Sequence, residues 1–95
     1  MAVDRLTPEV ITDHLTKLPG WSLEAGALTK TYKFADFGGS MGFVNAVAEA
    51  AESIHHHPDI DIRYDKVKLA LSTHDAGGIT DLDVQLAATA EGLAD

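Results

Sequence analysis

Apolar residues recur at helical spacing at the start of the chain. Ile11 and Leu15 fall on one side of a helix. Thr7 followed by Pro8 is a typical helix start, because a hydroxyl caps the first turn and proline tolerates the first helical position. The pattern therefore predicts a first helix that begins beside Thr7 and stops before Gly20.

The spacing then changes to every second residue, which is typical of strands. It runs through residues 21–25 and 28–34, and Ala25-Gly26 between them indicates a turn. A second alternating pair covers residues 60–64 and 67–74. We therefore expect two antiparallel hairpins, the second ending at a histidine.

Two further helices are expected, one between the strand pairs and one after them. Asp36 is a suitable N-cap for the longer helix, which should run to about His55, although nearby glycines leave open a start closer to Ser40. Its expected apolar stripe consists of Phe37, Met41, Val44, Ala48 and Ala51. Thr80, with Asp83 three residues later, resembles the capping box of a last helix.

The order of elements is therefore α-β-β-α-β-β-α over residues 1–95, which we expect to form a single domain. Strands joined by short turns pair antiparallel, and helices must cover one face of the sheet they form. The sequence predicts an α+β two-layer sandwich, with a four-stranded antiparallel sheet and helices on one face.

Composition and charge narrow the possible partners. A hydrophobic fraction of 45% suits a globular protein, and the absence of cysteine excludes disulfides and thiol nucleophiles. The net charge of -8, with the few basic residues scattered along the sequence, disfavours direct binding to nucleic acids or acidic membranes. Without a signal or membrane-spanning segment, we expect a cytoplasmic protein.

Four of the five histidines fall in two short segments, His55-His56-His57-Pro58 and Thr73-His74-Asp75. Imidazole donates and accepts protons near neutral pH, so these segments are candidates for acid–base chemistry. One histidine could instead complement the end of a helix. A histidine tract can also bind metal, but consecutive side chains point in different directions and no cysteine ligand is available. A functional metal is not expected.

Three segments carry a resemblance to a known family. Residues 52–58, 64–67 and 71–80, read in order, resemble the signature of the pterin-4a-carbinolamine dehydratases. The similarity extends outward through Gly20-Trp21 and residues 34–37 to the last helix, so it covers most of the chain.

The resemblance implies dehydration of 4a-hydroxytetrahydrobiopterin to quinonoid dihydropterin and water, which recycles the pterin for aromatic amino-acid hydroxylases. It also implies the same fold, a homodimer or homotetramer, and no metal or organic cofactor. Within this pattern His56 and His74 are the candidate acid and base, with His57 in a supporting or second acid role.

The remaining matches are expected to shape the pterin pocket: Glu52, Pro58, Thr73, Asp75, Ala76 and Asp83. Glu52 lies four residues before His56 and on a helix could orient its ring. Asp83 is expected mainly to cap the last helix, with a role in the site also possible.

Three positions depart from the family pattern. His55 replaces a residue that is often not histidine and is left out of the catalytic set, while Ile60 and Leu82 replace an aromatic and a basic residue. The changes at Ile60 and Leu82 affect the outer contacts of the pocket, and hence the substrate preference. The alternative hypothesis is a non-catalytic dimerisation or regulatory binding module of the same fold.

Overall fold

A computed structural model describes residues 4–94 and confirms the expected order of elements. The helices and strands are α1 (Pro8–Leu15), β1 (Ser22–Glu24), β2 (Ala27–Lys33), α2 (Phe37–Ser53), β3 (Asp59–Arg63), β4 (Lys66–Leu71) and α3 (Asp81–Leu93). One turn of 3₁₀ helix, His74–Ala76, lies between β4 and α3.

The four strands form one antiparallel sheet in the order β1-β2-β4-β3. Strand β4 lies inside the sheet, and its residues Val67, Leu69 and Leu71 are fully buried. They form one side of the core, which α2 and α3 cover. The alternation along this strand is the one that the sequence predicts.

All three helices begin with the predicted caps. Thr7 accepts a hydrogen bond from the backbone of the first turn of α1, and Asp36 accepts one from Gly39 at 2.8 Å. Thr80 and Asp83 form the complete capping box of α3, with the Thr80 amide donating to Asp83 at 2.9 Å. Each cap satisfies amides that have no partner inside the helix.

The predicted stripe of α2 is confirmed at Val44 and Ala51, which are buried, and at Met41, which packs against the core, but it was wrong at Phe37 and Ala48. Phe37 is 51% exposed and Ala48 is also exposed. The buried stripe consists of Ser40, Phe43, Val44, Val47 and Ala51. Ser40 turns inward because its hydroxyl donates to the Tyr64 carbonyl at 2.6 Å, which links α2 to the β3–β4 turn.

Basic residues that are scattered along the sequence meet on the open face of the sheet. Lys33, Lys66 and Arg63 are direct cross-strand neighbours, and Lys68 lies on the same face. Arg63 pairs with Asp61, whereas Lys33 and Lys66 form no ion pair with any residue between 4 and 94. Asp59 and Asp61 lie on the same face, and Lys68 pairs with Glu24, so this face carries charges of both signs. None of the described helices has the length and hydropathy needed to cross a membrane.

Candidate active site

The triple-histidine segment lies beyond the end of α2, not on it. The helix ends at Ser53, and His55 adopts a left-handed conformation with φ of 52°. The His56 amide then donates to the Ala51 carbonyl at 3.1 Å, which closes the helix end. The helix was expected to run to about His55; it ends at Ser53, two residues earlier, because this turn stops it.

The second histidine segment is also displaced from a regular element. Strand β4 ends at Leu71, and a single backbone bridge between Thr73 and Gly78 closes a tight loop. His74 begins the 3₁₀ turn inside this loop, so the expectation that it ends a strand was wrong. Gly77, with φ of 72°, allows the chain to return.

A cavity of about 230 Å³ lies between the two segments. Five of the predicted site residues line it: His56, His57, Thr73, His74 and Asp75. The tertiary structure thus brings together histidines that are far apart in the sequence. The cavity is lined mainly by polar side chains.

Four lining residues were missed by the sequence analysis: His55, Asp59, Ala70 and Ser72. Ala70, Ser72 and His74 occupy every second position of the alternating pattern and so share one face. This shared face could have identified Ala70 and Ser72 as lining residues. Two predicted residues, Pro58 and Ala76, flank the cavity in sequence but do not line it.

Asp83 lies behind His56 and is completely buried. Its Oδ1 is 2.5 Å from Nε2 of His56, whose side chain is 11% exposed. Its Oδ2 accepts hydrogen bonds from the Thr73 hydroxyl at 2.8 Å and the Thr80 amide at 2.9 Å. Asp83 therefore combines the predicted helix cap with direct contact to a cavity histidine.

Glu52 contacts a different histidine from the one expected. Its Oε1 lies 2.7 Å from Nε2 of His57, and both side chains are largely exposed. The predicted contact with His56 was wrong, because the left-handed turn at His55 moves His56 off the helix face. An exposed pair of this kind contributes little to stability.

The arrangement suits proton transfer. Four histidines line one cavity. The three predicted ones have different surroundings: His56 lies against a buried carboxylate, His57 against an exposed one, and His74 is exposed in the 3₁₀ turn. Between residues 4 and 94, no three histidine, aspartate or glutamate side chains are grouped so that they could hold a metal ion.

The chain matches known proteins over nearly its full length. The family model for pterin 4 alpha carbinolamine dehydratase matches residues 4–93. A protein of Acidobacterium capsulatum, named as a pterin-4-alpha-carbinolamine dehydratase, is 54% identical over 89 residues, which are 94% of this chain and 97% of that protein. A protein of Sulfurisphaera tokodaii with the same name is 51% identical over 83 residues, covering 87% and 89%.

A solved structure shows the same architecture. The transcriptional coactivator/pterin dehydratase of Brucella melitensis superposes with a TM-score of 0.94 at 34% sequence identity. The match covers 97% of this chain and all of that one.

Proposed function

The chain belongs to the pterin 4 alpha carbinolamine dehydratase family, a family of hydro-lyases, and we propose that it dehydrates 4a-hydroxytetrahydrobiopterin by histidine acid–base catalysis. The observation that carries the mechanism is the meeting of His56, His57 and His74 at one small cavity. The product would be quinonoid dihydropterin, returned to the pterin pool that aromatic amino-acid hydroxylases use.

The reaction requires one proton to be given and one to be taken. An acid protonates the hydroxyl on C4a, the C–O bond breaks, and the oxygen leaves as water with its electron pair. A base removes a ring N–H proton, and the electrons of that bond form the new double bond. Imidazole suits both steps at neutral pH, and such help is typically worth about 10²–10⁴-fold in rate.

The two walls of the cavity can divide these tasks. His56 and His57 come from the loop after α2, and His74 comes from the loop after β4, so a bound ring would have histidines from two directions. Thr73 and Asp75 lie beside His74 and would contact the pterin edge. Glu52 would act through His57, since it contacts that ring.

A stopped-flow assay with 4a-hydroxytetrahydrobiopterin tests the proposal. Wild-type protein should exceed the spontaneous dehydration rate, and His56→Ala and His74→Ala should each lower kcat by about 10²–10⁴-fold. His14→Ala is the matched control, because His14 lies on α1 and does not line the cavity. A wild-type rate equal to the spontaneous rate would refute the activity, and unaffected alanine variants would refute the assigned residues.

The same proposal includes the setting in which the enzyme works. We propose a cytoplasmic homodimer or homotetramer, supported by large apolar side chains that remain exposed, among them Phe37 at 51% and Tyr64 at 64%. The Brucella protein is named as both a transcriptional coactivator and a pterin dehydratase. A non-catalytic binding role is therefore the second candidate function for this chain. Loss of histidines at the cavity should leave such a role intact.

A further inference from the structure

We infer that Asp83 is a positioning residue that determines which nitrogen of His56 carries the proton, leaving Nδ1 as the base of the reaction. The inference rests on the proposed function and deepens it, because it separates the roles of histidines that the sequence treats alike. It follows from the direction of each hydrogen bond in the buried network around the start of α3.

The backbone sets these directions, since an amide N–H can only donate. The Leu82 amide donates to the Thr80 hydroxyl oxygen at 3.3 Å, and the Thr80 amide donates to Oδ2 of Asp83 at 2.9 Å. The Thr73 hydroxyl lies 2.8 Å from the same Oδ2, and its only hydrogen points there. The 2.7 Å contact between the two threonine hydroxyls is therefore donated by Thr80.

Two donors thus occupy Oδ2, and Oδ1 is left for His56 at 2.5 Å. Asp83 lies in the first turn of α3, where the helix dipole favours a negatively charged carboxylate. A carboxylate has no hydrogen to give, so Nε2 of His56 must be the donor. In the neutral ring the lone pair then lies on Nδ1.

Nδ1 is free to meet a substrate. Nδ1 makes no hydrogen bond with residues 4–94. Every buried polar side-chain atom among these residues has a hydrogen-bond partner, so Nδ1 is not buried and is open to solvent. His56 lines the cavity, and Nδ1 is the ring nitrogen that Asp83 does not hold. His57, by contrast, meets an exposed carboxylate, and no buried group sets its tautomer.

The roles of the histidines and the proton balance of the reaction follow from this tautomer. Nδ1 of His56 takes the ring N–H proton and becomes imidazolium, whose charge is stabilised by Asp83 on the opposite nitrogen. The acid on the C4a hydroxyl is then His74 or His57, and the departing water carries its proton away. His56 returns its proton to solvent and the acid regains one, so no net proton is consumed.

The variant Asp83→Asn tests the inference, because the surrounding hydrogen-bond network requires the two ends of the Asn amide to take different positions. The amide oxygen must take the Oδ2 position, because the Thr80 amide can only donate, and this turns the amide NH₂ toward His56. Nε2 must then accept, so the proton moves to Nδ1 and the base is lost. We expect ¹⁵N NMR of the imidazole to show the inverted tautomer, with kcat reduced at least about 10²-fold and KM nearly unchanged.

Asp81→Asn is the matched control. It removes a carboxylate from the same first turn of α3, but Asp81 is exposed and forms no hydrogen bond or ion pair with His56. Its His56 signals and its kcat should match those of the wild type. Because NMR needs no turnover, a missing dehydratase activity would refute the proposed function without altering the tautomer result.

Two results would overturn the inference. One is a wild-type His56 protonated on Nδ1, which can be measured even if Asp83→Asn does not fold. The other is a tautomer that inverts in Asp83→Asn while kcat stays at the wild-type level.

Discussion

Helix α3 carries a buried or half-buried carboxylate near each end, and each accepts hydrogen bonds from three groups. Asp83, near the N-terminus, receives them from a histidine, a threonine hydroxyl and a backbone amide. Glu91, near the C-terminus, receives them from an indole, an ammonium and a phenol. Only the first set contains an imidazole, which keeps a second nitrogen free beyond its bond to the carboxylate.

The Glu91 cluster stabilises the fold. Its Oε2 accepts from Trp21 at 3.1 Å, from Lys30 at 2.7 Å and from the Tyr32 hydroxyl. Burial alone would raise the pKa of Glu91, but the hydrogen bonds from Lys30, Tyr32 and Trp21 outweigh it and lower that pKa below 4.5. Burial, and then the bond to Glu91, raises the pKa of Tyr32 above its usual 10.0.

The two ends also differ in what the helix itself contributes. The positive end of the dipole stabilises Asp83, whereas Glu91 lies near the negative end and depends on the Lys30 cation. In the mechanism that we propose, the same arrangement of three donors around a carboxylate serves a reaction at one end of α3 and stabilises the fold at the other. The chemical identity of the donor groups decides between these two roles.

The largest effect on stability is expected for Glu91→Leu. The change leaves the Trp21 and Tyr32 donors without their acceptor, and Lys30 keeps only its bond to the Pro19 carbonyl. It should lower the free energy of unfolding by about 2–3 kcal/mol, less than for a fully buried pair. Urea unfolding measures this. The stopped-flow kcat should stay within about twofold. A large fall in kcat with unchanged stability would contradict the structural role of this cluster.

A smaller effect is expected at the other end for Thr80→Val. The substitution removes the hydroxyl that caps α3 and should cost about 1 kcal/mol in urea unfolding. The Thr80 amide still donates to Asp83, so the His56 tautomer should not change. Thr89→Val, on an exposed position of the same helix, is the control and should cost less. A changed tautomer would show that the hydroxyl, not the amide, orients Asp83.

The smallest effect is the pH dependence that Glu91 confers. Because folding lowers its pKa, its ionised form stabilises the protein above 4.5, and this contribution is lost as the pH falls through the lower folded pKa. The stability difference between wild type and Glu91→Gln should therefore shrink between about pH 6 and pH 3. Glu49→Gln, at an exposed position of α2, should not show this trend. A difference that is constant with pH would contradict it.

Local patterns in the sequence determined the elements and their starts. The caps at Thr7, Asp36 and Thr80 act over three residues, and strand alternation acts over two, so both are visible without a tertiary structure. The two hairpins and the α+β class follow from these elements, whereas the pairing of β2 with β4 that joins the hairpins into one sheet does not. The family resemblance then singled out His56, His57 and His74 among the histidines.

Only the tertiary structure decided which groups meet. The left-handed turn at His55 separates His56 from Glu52 and brings it to Asp83, which lies 27 residues away in the sequence. Glu91 meets Trp21 across 70 residues. Such contacts depend on how helices and sheet pack, which no local spacing encodes. The proposed chemistry of the site therefore depends on the pairing of His56 with Asp83, which cannot be read from local sequence patterns.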